Sequence, residues 1–217
     1  MLIEYLPPTT PYLDILYQDE ALVVFNKPSG LLTVPGKAAE HKDSLEYRAK
    51  LVWPGIRVVH RLDMATSGIV IMALTADSQR ELNRQFQQRS TKKHYIACVA
   101  GSIESDAGTI DLPLICDWPN RPKQMVNYQY GKASLTHYQV LRRSNDNSRV
   151  KLTPITGRSH QLRVHMQWLG HPILGDKFYA DLDAYNAADR LLLHAEALAF
   201  NHPVTAKEMQ LFCPCPF

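Results

Sequence analysis

Apolar positions along the 217-residue chain either alternate with polar ones in short runs or follow one another without interruption. Both patterns predict β-strands, which alternate when one face is buried and stay apolar when both faces are covered. The run GIVIMALT (68–75) is of the second kind, so we expect a strand buried on both faces. Residues 15–28 are predicted to form a hairpin of two strands. Single strands are predicted over 56–63, 92–101, 108–115, 133–143, 149–155, 191–200 and 209–214.

Apolar residues follow a helical spacing in few places. Residues 43–51 predict a short helix capped by Asp43. Residues 76–89 predict a longer helix after the N-cap Thr75, and residues 157–170 predict a third.

The order of these elements indicates an α+β fold. Residues 29–36 and 116–124 are rich in residues that favour turns and are predicted to be loops. No linker is long enough to separate independent domains. We therefore expect a large mixed sheet with helices on its faces and functional loops at one edge.

Composition narrows the class of protein. Hydrophobic residues make up 45% and charged residues 21%, which is typical of a globular protein with a real core. No apolar stretch has the length needed to span a bilayer. The N-terminal segment has no basic flank followed by an apolar core, so it does not resemble a signal peptide. These features predict a soluble protein of the cytoplasm.

Charge is distributed unevenly along a chain whose net charge is only +3. Residues 80–93 carry five basic groups and one acidic group, and residues 140–163 carry six and one. Most charge runs are solvated faces. Two local excesses of positive charge in a nearly neutral chain nevertheless favour the prediction of a basic groove.

The segment HRLDMATSG (60–68) brings candidate chemistry. If the strand before it continues, Arg61 and Asp63 point to the same side. An Asp near an Arg is often only a structural ion pair. The chain has no G-x-S-x-G elbow, Gly-rich phosphate loop, H-E-x-x-H helix or second carboxylate beside Asp63. A catalytic Asp63 would therefore act without a metal and without a second acid.

Two other segments carry candidate binding groups. Arg158 is expected at a helix N-terminus, where a cation opposes the helix dipole at a cost of roughly 0.3–1 kcal/mol. It is either a surface arginine or a partner for an anion, and that anion is Asp63 or a phosphate. Tyr95, in KKHY, is either a core residue or a ring that stacks on a nucleobase beside phosphate-binding lysines.

In combination and in this order, several motifs closely resemble the RluA family of pseudouridine synthases. The motifs are NKPSGLLTVPG, HRLDMATSG, KKHYIACVAG, ITGRSHQLRVH and HPILGDKFY, with CDWPNRPKQ typical of the RluA-type branch that acts on tRNA and rRNA. The resemblance runs from about Asp14 to the C-terminus. It implies an N-terminal extension over 1–13 and a catalytic domain over 14–217. It leaves no room for the accessory N-terminal RNA-binding domain of many relatives.

The resemblance implies a pseudouridine synthase fold, with a mainly antiparallel sheet and loops around a central RNA-binding cleft. It implies the isomerisation of uridine to pseudouridine in a tRNA anticodon stem-loop, a 23S rRNA hairpin or both. Asp63 would be the nucleophile, at the ribose or at the base, or would stabilise a developing cation. Arg158 would pair with Asp63, Tyr95 would stack on the uracil, and Arg61 would fill the space that the flipped base leaves.

Further implications of the resemblance concern partners. Residues expected to contact RNA elsewhere are His60, Lys92, Lys93, Arg121 and Lys123. No cofactor is expected, since isomerisation conserves every atom of the substrate. No metal is expected either, because Cys213 and Cys215 form a lone C-x-C without a second ligand pair. The enzyme is expected to be a monomer that binds RNA and no membrane.

Two other functions remain open at this point. A silent RNA-binding module would use the same basic groove and would not need Asp63. A hydrolase would use Asp63 to activate water on the glycosidic bond, and it would release free uracil.

Overall fold

Residues 5–217 are described in a computed structural model, and they form two compact units. The first unit contains residues up to 92 together with 195–216, and the second contains residues 93–194 with Phe217. The predicted domain boundaries, 1–13 and 14–217, stay a prediction, and residues 1–4 of that N-terminal extension lie outside the described residues.

The first unit is built on antiparallel strand pairs with two helices. Strands β1, β2, β4, β11 and β12 are neighbours in that order, and the short β3 pairs with the end of β4. Its elements are β1 (Ile15–Gln18), β2 (Leu22–Lys27), α1 (Leu45–Val52), β3 (Arg57–Val58), β4 (Ser67–Ala73), α2 (Ala76–Gln88), β11 (Leu193–Asn201) and β12 (Glu208–Phe212).

Strand β4 is the centre of this unit. All seven of its residues are buried, which confirms the expectation that both of its faces are covered. Leu82 of α2 packs on the cluster that β4 forms with β2 and β11. Helix α2 begins where predicted, because the Thr75 hydroxyl accepts a hydrogen bond from the Ser78 N–H.

The second unit has a four-stranded antiparallel sheet with the order β5, β10, β9, β6. A separate hairpin, β7 with β8, and two helices complete it. Its elements are β5 (Lys92–Ala100), β6 (Ala107–Asp111), β7 (Leu114–Cys116), β8 (Gln124–Val126), β9 (Leu135–Arg143), β10 (Asn147–Pro154), α3 (Gln161–Trp168) and α4 (Leu182–Asn186).

Helix α3 is held by buried polar contacts as well as by apolar packing. The Arg163 guanidinium forms two hydrogen bonds with the Asp176 carboxylate, at 2.6 and 2.7 Å, and both side chains are buried. Val164 packs against Leu114 and Tyr179. A buried ion pair of this kind compensates the loss of water around both charges only when its geometry is good. The pair therefore favours one position of α3 relative to Asp176.

Both units belong to the α+β class with mainly antiparallel pairing, so the predicted fold class is confirmed. Within residues 5–217, the structure contains no helix with the length and hydropathy required to cross a membrane.

Several element boundaries differ from the prediction for physical reasons. Ser44, not Asp43, caps α1, because the Asp43 carboxylate is bound at both oxygens by Arg48. The strand expected over 108–115 is broken into β6 and β7 around Pro113, whose nitrogen carries no hydrogen to donate. The short helix α4, capped by Asp181, was not predicted at all.

The buried imidazole of His165 predicts that acid destabilises the fold. Burial lowers its pKa from 6.5 to about 4. Above about pH 6.5 the ring is neutral in the folded and unfolded states alike. Between about pH 6.5 and about pH 4 only the unfolded state takes up the proton, so roughly 3 kcal/mol of stability is lost on acidification.

Urea unfolding of the parent and of His165→Gln across this pH window measures the effect. The variant should lose less stability than the parent as the pH falls. His137→Gln, at an exposed position on β9, is the matched control and should follow the parent. Identical pH dependence in the parent and in His165→Gln would contradict the assignment.

Candidate active site

Asp63 lies at the first position of a tight turn. The Thr66 N–H donates to the Asp63 carbonyl oxygen at 3.1 Å, and Met64 and Ala65 form the middle of the turn. The Asp63 side chain is half-buried. The strand expected over 56–63 is wrong beyond Val58, so the argument that strand alternation aligns Arg61 with Asp63 does not hold.

His60 explains why the strand ends early. Its Nε2 accepts a hydrogen bond from the Ile71 N–H at 3.0 Å, a donor that a longer β3 would have used. The His60 ring also stacks on Phe86, with 4.7 Å between ring centroids. The imidazole thus replaces strand pairing and releases the chain from the sheet just before Asp63. The predicted contact of His60 with RNA stays a prediction.

The backbone on the N-terminal side of Asp63 is fixed by Thr33. The Thr33 hydroxyl donates to the Leu62 carbonyl at 2.8 Å and accepts from the Leu62 N–H at 3.2 Å. Thr33 and Leu62 are both buried. One hydroxyl therefore satisfies both backbone groups of the residue that precedes Asp63.

The backbone on the C-terminal side is fixed by the segment that contains NKPSG. The buried Lys27 ammonium donates to the Met64 carbonyl at 3.1 Å, and the Gly30 N–H donates to the same oxygen at 2.9 Å. The Ser29 hydroxyl donates to the Ala65 carbonyl at 2.7 Å. Sequence reasoning quoted this motif but assigned it no role. Its signal was a lysine directly after an apolar strand.

Gly68 completes the support of the turn. Its φ of 112° lies in a region that favours glycine. A Cβ at this position would lie 2.3 Å from the Ala195 carbonyl oxygen, so only glycine allows β11 to approach so closely. The glycine of the TSG motif therefore has a packing role.

In the second unit, Tyr95 and Lys93 lie two residues apart on β5, and side chains at this spacing share a face of a strand. The Lys93 ammonium reaches the turn that carries Arg158. A Cβ built on Gly157 would lie 3.8 Å from the Lys93 Nζ. The structure therefore brings Lys93 beside the Arg158 turn, on the face of β5 that Tyr95 shares.

Arg158 precedes α3 rather than occupying its first turn. The helix begins at Gln161, four residues later than predicted, so the helix-dipole argument does not apply. The Arg158 side chain is exposed, and its Nε donates to the Ala133 carbonyl at 3.3 Å.

Gln161, which sequence reasoning missed, organises the Arg158 turn. Its buried amide oxygen accepts hydrogen bonds from the Arg158 N–H at 3.0 Å and from the Thr156 hydroxyl at 2.7 Å. Its amide nitrogen donates to the Leu135 carbonyl at 3.0 Å. The turn is thereby tied to the start of β9.

Lys123 and Arg121 lie in the hairpin between β7 and β8. The Asp117 N–H donates to the Lys123 carbonyl at 3.0 Å, which closes the loop. The Arg121 guanidinium lies 4.7 Å from the centroid of the exposed Trp118 ring.

The basic segments are less positive than their sequences indicate. Arg80 and Arg84 form ion pairs with Asp77 and Glu81 on the surface of α2. In the second segment, Arg143 pairs with Asp106 and Arg163 with Asp176. Four arginines counted toward a basic groove are therefore neutralised locally.

The predicted site residues divide between the two units. His60, Arg61, Asp63 and Lys92 belong to the first unit, and Lys93, Tyr95, Arg121, Lys123 and Arg158 belong to the second. The pairing of Arg158 with Asp63 joins residues of different units and stays a prediction. Within the part of the chain that the structure describes, no three His, Cys, Asp or Glu side chains are grouped as metal ligands.

Comparison with known proteins is consistent with an RNA-modifying site. Residues 21–168 match the family described as RNA pseudouridylate synthase. The chain is 56% identical over 214 residues to the dual-specificity RNA pseudouridine synthase RluA of Escherichia coli K12, covering 98% of both chains. It is 55% identical over 217 residues to RluA of Pasteurella multocida, covering 100% of this chain and 99% of the relative.

A solved structure shows the same fold. Human RNA Pseudouridylate Synthase Domain Containing 1 superposes with a TM-score of 0.81 at 30% identity. The match covers 98% of this chain and 87% of the human one.

Removing the Lys27 ammonium should loosen the turn that carries Asp63. In Lys27→Met, the carbonyls of Pro28, Leu31 and Met64 lose a donor in a buried place. We expect a loss of roughly 2–5 kcal/mol in the free energy of unfolding. Urea denaturation measures this loss.

Lys50→Met is the matched control. Lys50 is half-exposed and forms an i,i+4 ion pair with Glu46, so its loss should cost about 0.5 kcal/mol or less. Equal stability of Lys27→Met and the parent would show that the buried ammonium does not support the turn.

Proposed function

The chain belongs to the RNA pseudouridylate synthase family, and we propose that it isomerises specific uridines of structured RNA with Asp63 as its catalytic carboxylate. The observation that carries the proposal is the Asp63 turn, whose backbone is bound by hydrogen bonds on both sides. A catalytic group needs a fixed position, and its supporting contacts provide one.

The reaction breaks the bond between the ribose and N1 of uracil and forms a bond from the ribose to C5. C5 then loses a proton to solvent and N1 takes one up, so the composition of the nucleotide is unchanged and no co-substrate is needed. Asp63 acts as a nucleophile at the ribose or at the base, or as the anion beside a developing cation. Each of these roles requires an ionised carboxylate.

We propose that Arg158 binds the Asp63 carboxylate and that Tyr95 binds the uracil base. A guanidinium paired with Asp63 keeps the carboxylate ionised and oriented. Tyr95 stacks on the uracil and takes part in removing the C5 proton. The support for this proposal is the position of Lys93 beside the Arg158 turn, on the face of β5 shared with Tyr95.

We propose that the substrates are stem-loops, the anticodon arm of tRNA and a hairpin of 23S rRNA. The E. coli and Pasteurella relatives are both named dual-specificity enzymes. Unpaired uridines in loops leave the stack at a lower cost than paired ones. Lys92, Lys93, Arg121 and Lys123 are proposed phosphate contacts. The monomeric state and the cytoplasmic location stay predictions.

Asp63→Asn should abolish turnover and keep RNA binding. The amide has the size of the carboxylate but neither its charge nor its nucleophilicity. Tritium release from C5-labelled uridine in a synthetic stem-loop measures turnover, and a filter-binding assay measures affinity.

The control is Asp77→Asn, on the exposed surface of α2, which should turn over like the parent. Appreciable tritium release by Asp63→Asn would exclude Asp63 as the catalytic group. Release of free uracil by the parent would identify a hydrolase instead.

Arg61→Ala should slow the reaction on folded RNA more than on unstructured RNA. Arg61 is exposed and two residues from Asp63, and its planar guanidinium can stack and hydrogen-bond in the space left by a flipped base. Single-turnover rates on a stem-loop and on a short unstructured RNA with the same uridine measure the difference. An equal defect on both RNAs would assign Arg61 to chemistry or phosphate binding, and no defect would make it structural.

A further inference from the structure

Three of the five exposed aromatic side chains of the second unit lie in one segment, residues 118–132, which we term the aromatic hairpin. Tyr128, Tyr130 and Trp118 are 74%, 67% and 64% exposed. They are the three most exposed large aromatic side chains of residues 5–217. Such residues are usually buried because they bring a large apolar area, so three within thirteen positions require an explanation.

The two tyrosines project from a turn that is held firmly. The Asn127 side-chain oxygen accepts hydrogen bonds from the Gln129 N–H at 3.0 Å and the Tyr130 N–H at 2.8 Å. The Gly131 N–H donates to the Asn127 carbonyl at 2.9 Å. A Cβ on Gly131 would lie 2.3 Å from that same carbonyl oxygen, so the turn requires glycine.

Main-chain pairing anchors this turn to the β7–β8 hairpin. Lys132 and Leu114 exchange two backbone hydrogen bonds, at 2.8 and 3.0 Å. The exposure of Tyr128 and Tyr130 therefore comes from a fixed turn and not from a loose end of the chain. A surface held in this way loses little conformational entropy when it binds a ligand.

The charge of the aromatic hairpin selects the kind of ligand. Residues 118–132 contain three cations, Arg121, Lys123 and Lys132, and no carboxylate. The Arg121 guanidinium lies over the Trp118 ring. Aromatic rings interleaved with cations are the pattern that binds single-stranded nucleic acid, since rings stack on bases and cations bind phosphates.

We propose that the aromatic hairpin binds unpaired nucleotides of the RNA outside the target uridine, by stacking their bases on Trp118, Tyr128 and Tyr130. This proposal rests on the proposed function, because it names a second contact with the same RNA. It gives the enzyme a way to recognise a loop rather than a duplex, since paired bases do not expose their faces.

The test compares the double variants Tyr128→Ala/Tyr130→Ala and Tyr128→Phe/Tyr130→Phe with the parent. The probes are a synthetic RNA stem-loop and a blunt RNA duplex of equal length, and affinity is measured at several salt concentrations. The alanine variant should bind the stem-loop about tenfold or more weakly, with an unchanged salt slope, because stacking releases no counterions. Its affinity for the duplex should stay that of the parent.

The phenylalanine variant keeps both rings and should bind as the parent does. Phe212→Ala is the matched control, since Phe212 is 63% exposed but belongs to the first unit, and it should also bind normally. Lys123→Ala should instead reduce the salt slope, which separates phosphate contacts from stacking.

Three results would overturn the proposal: parent-like binding of the stem-loop by the alanine variant, an equal loss on the duplex, or a parent dimer that the alanine variant dissociates in sedimentation. The last would show that the surface binds a second copy of the chain. Pseudouridine formation by the parent is measured on the same stem-loop. Its absence would reject the proposed function, whereas the affinity comparison tests the aromatic hairpin alone.

Discussion

The buried ammonium of Lys27 is the interaction on which the Asp63 turn depends. Its side chain is 0% exposed, and three carbonyl oxygens accept hydrogen bonds from it. A charge placed out of water is costly unless its donors are satisfied, so this lysine is tolerated only with those carbonyls in place. Because the buried ammonium needs these acceptors, it holds the backbone carbonyls in place. One of them is the Met64 carbonyl, next to Asp63.

Short polar contacts complete this constraint around Asp63. Thr33 binds both backbone groups of Leu62, and Ser29 binds the Ala65 carbonyl. Each carbonyl from Leu62 to Ala65 therefore accepts a hydrogen bond. The turn cannot shift without breaking several of these bonds. In the second unit, the amide of Gln161 has the corresponding role for the turn that carries Arg158.

Polar satisfaction extends to the rest of the described chain. Among residues 5–217, every buried side-chain nitrogen or oxygen has a hydrogen-bond partner. The aromatic rings of residues 118–132 differ from these buried groups, because their apolar surface is exposed to water on a turn held by hydrogen bonds. This exposed aromatic surface is the one that we propose binds unpaired nucleotides of the RNA.

The sequence by itself determined most of the strands, helix α2 and the family. Periodicity reports burial directly, so the wholly apolar run of β4 and the Thr75-capped helix were predictable from neighbouring residues. Motifs combined in order identified the family and selected Asp63. These inferences need only local patterns, because the residues that bury or cap an element lie within a few positions of it in the sequence.

Only the tertiary structure decided where elements end and what supports the site. Strand β3 stops at Val58 because the His60 ring takes the Ile71 N–H, eleven residues away. Lys27 meets Met64 across thirty-seven positions, and Gln161 meets Leu135 across twenty-six. Such partners are chosen by the folded backbone and not by sequence spacing. The roles of Lys27 and Gln161 therefore could not be assigned from the sequence, although both residues lie within the motifs that identified the family.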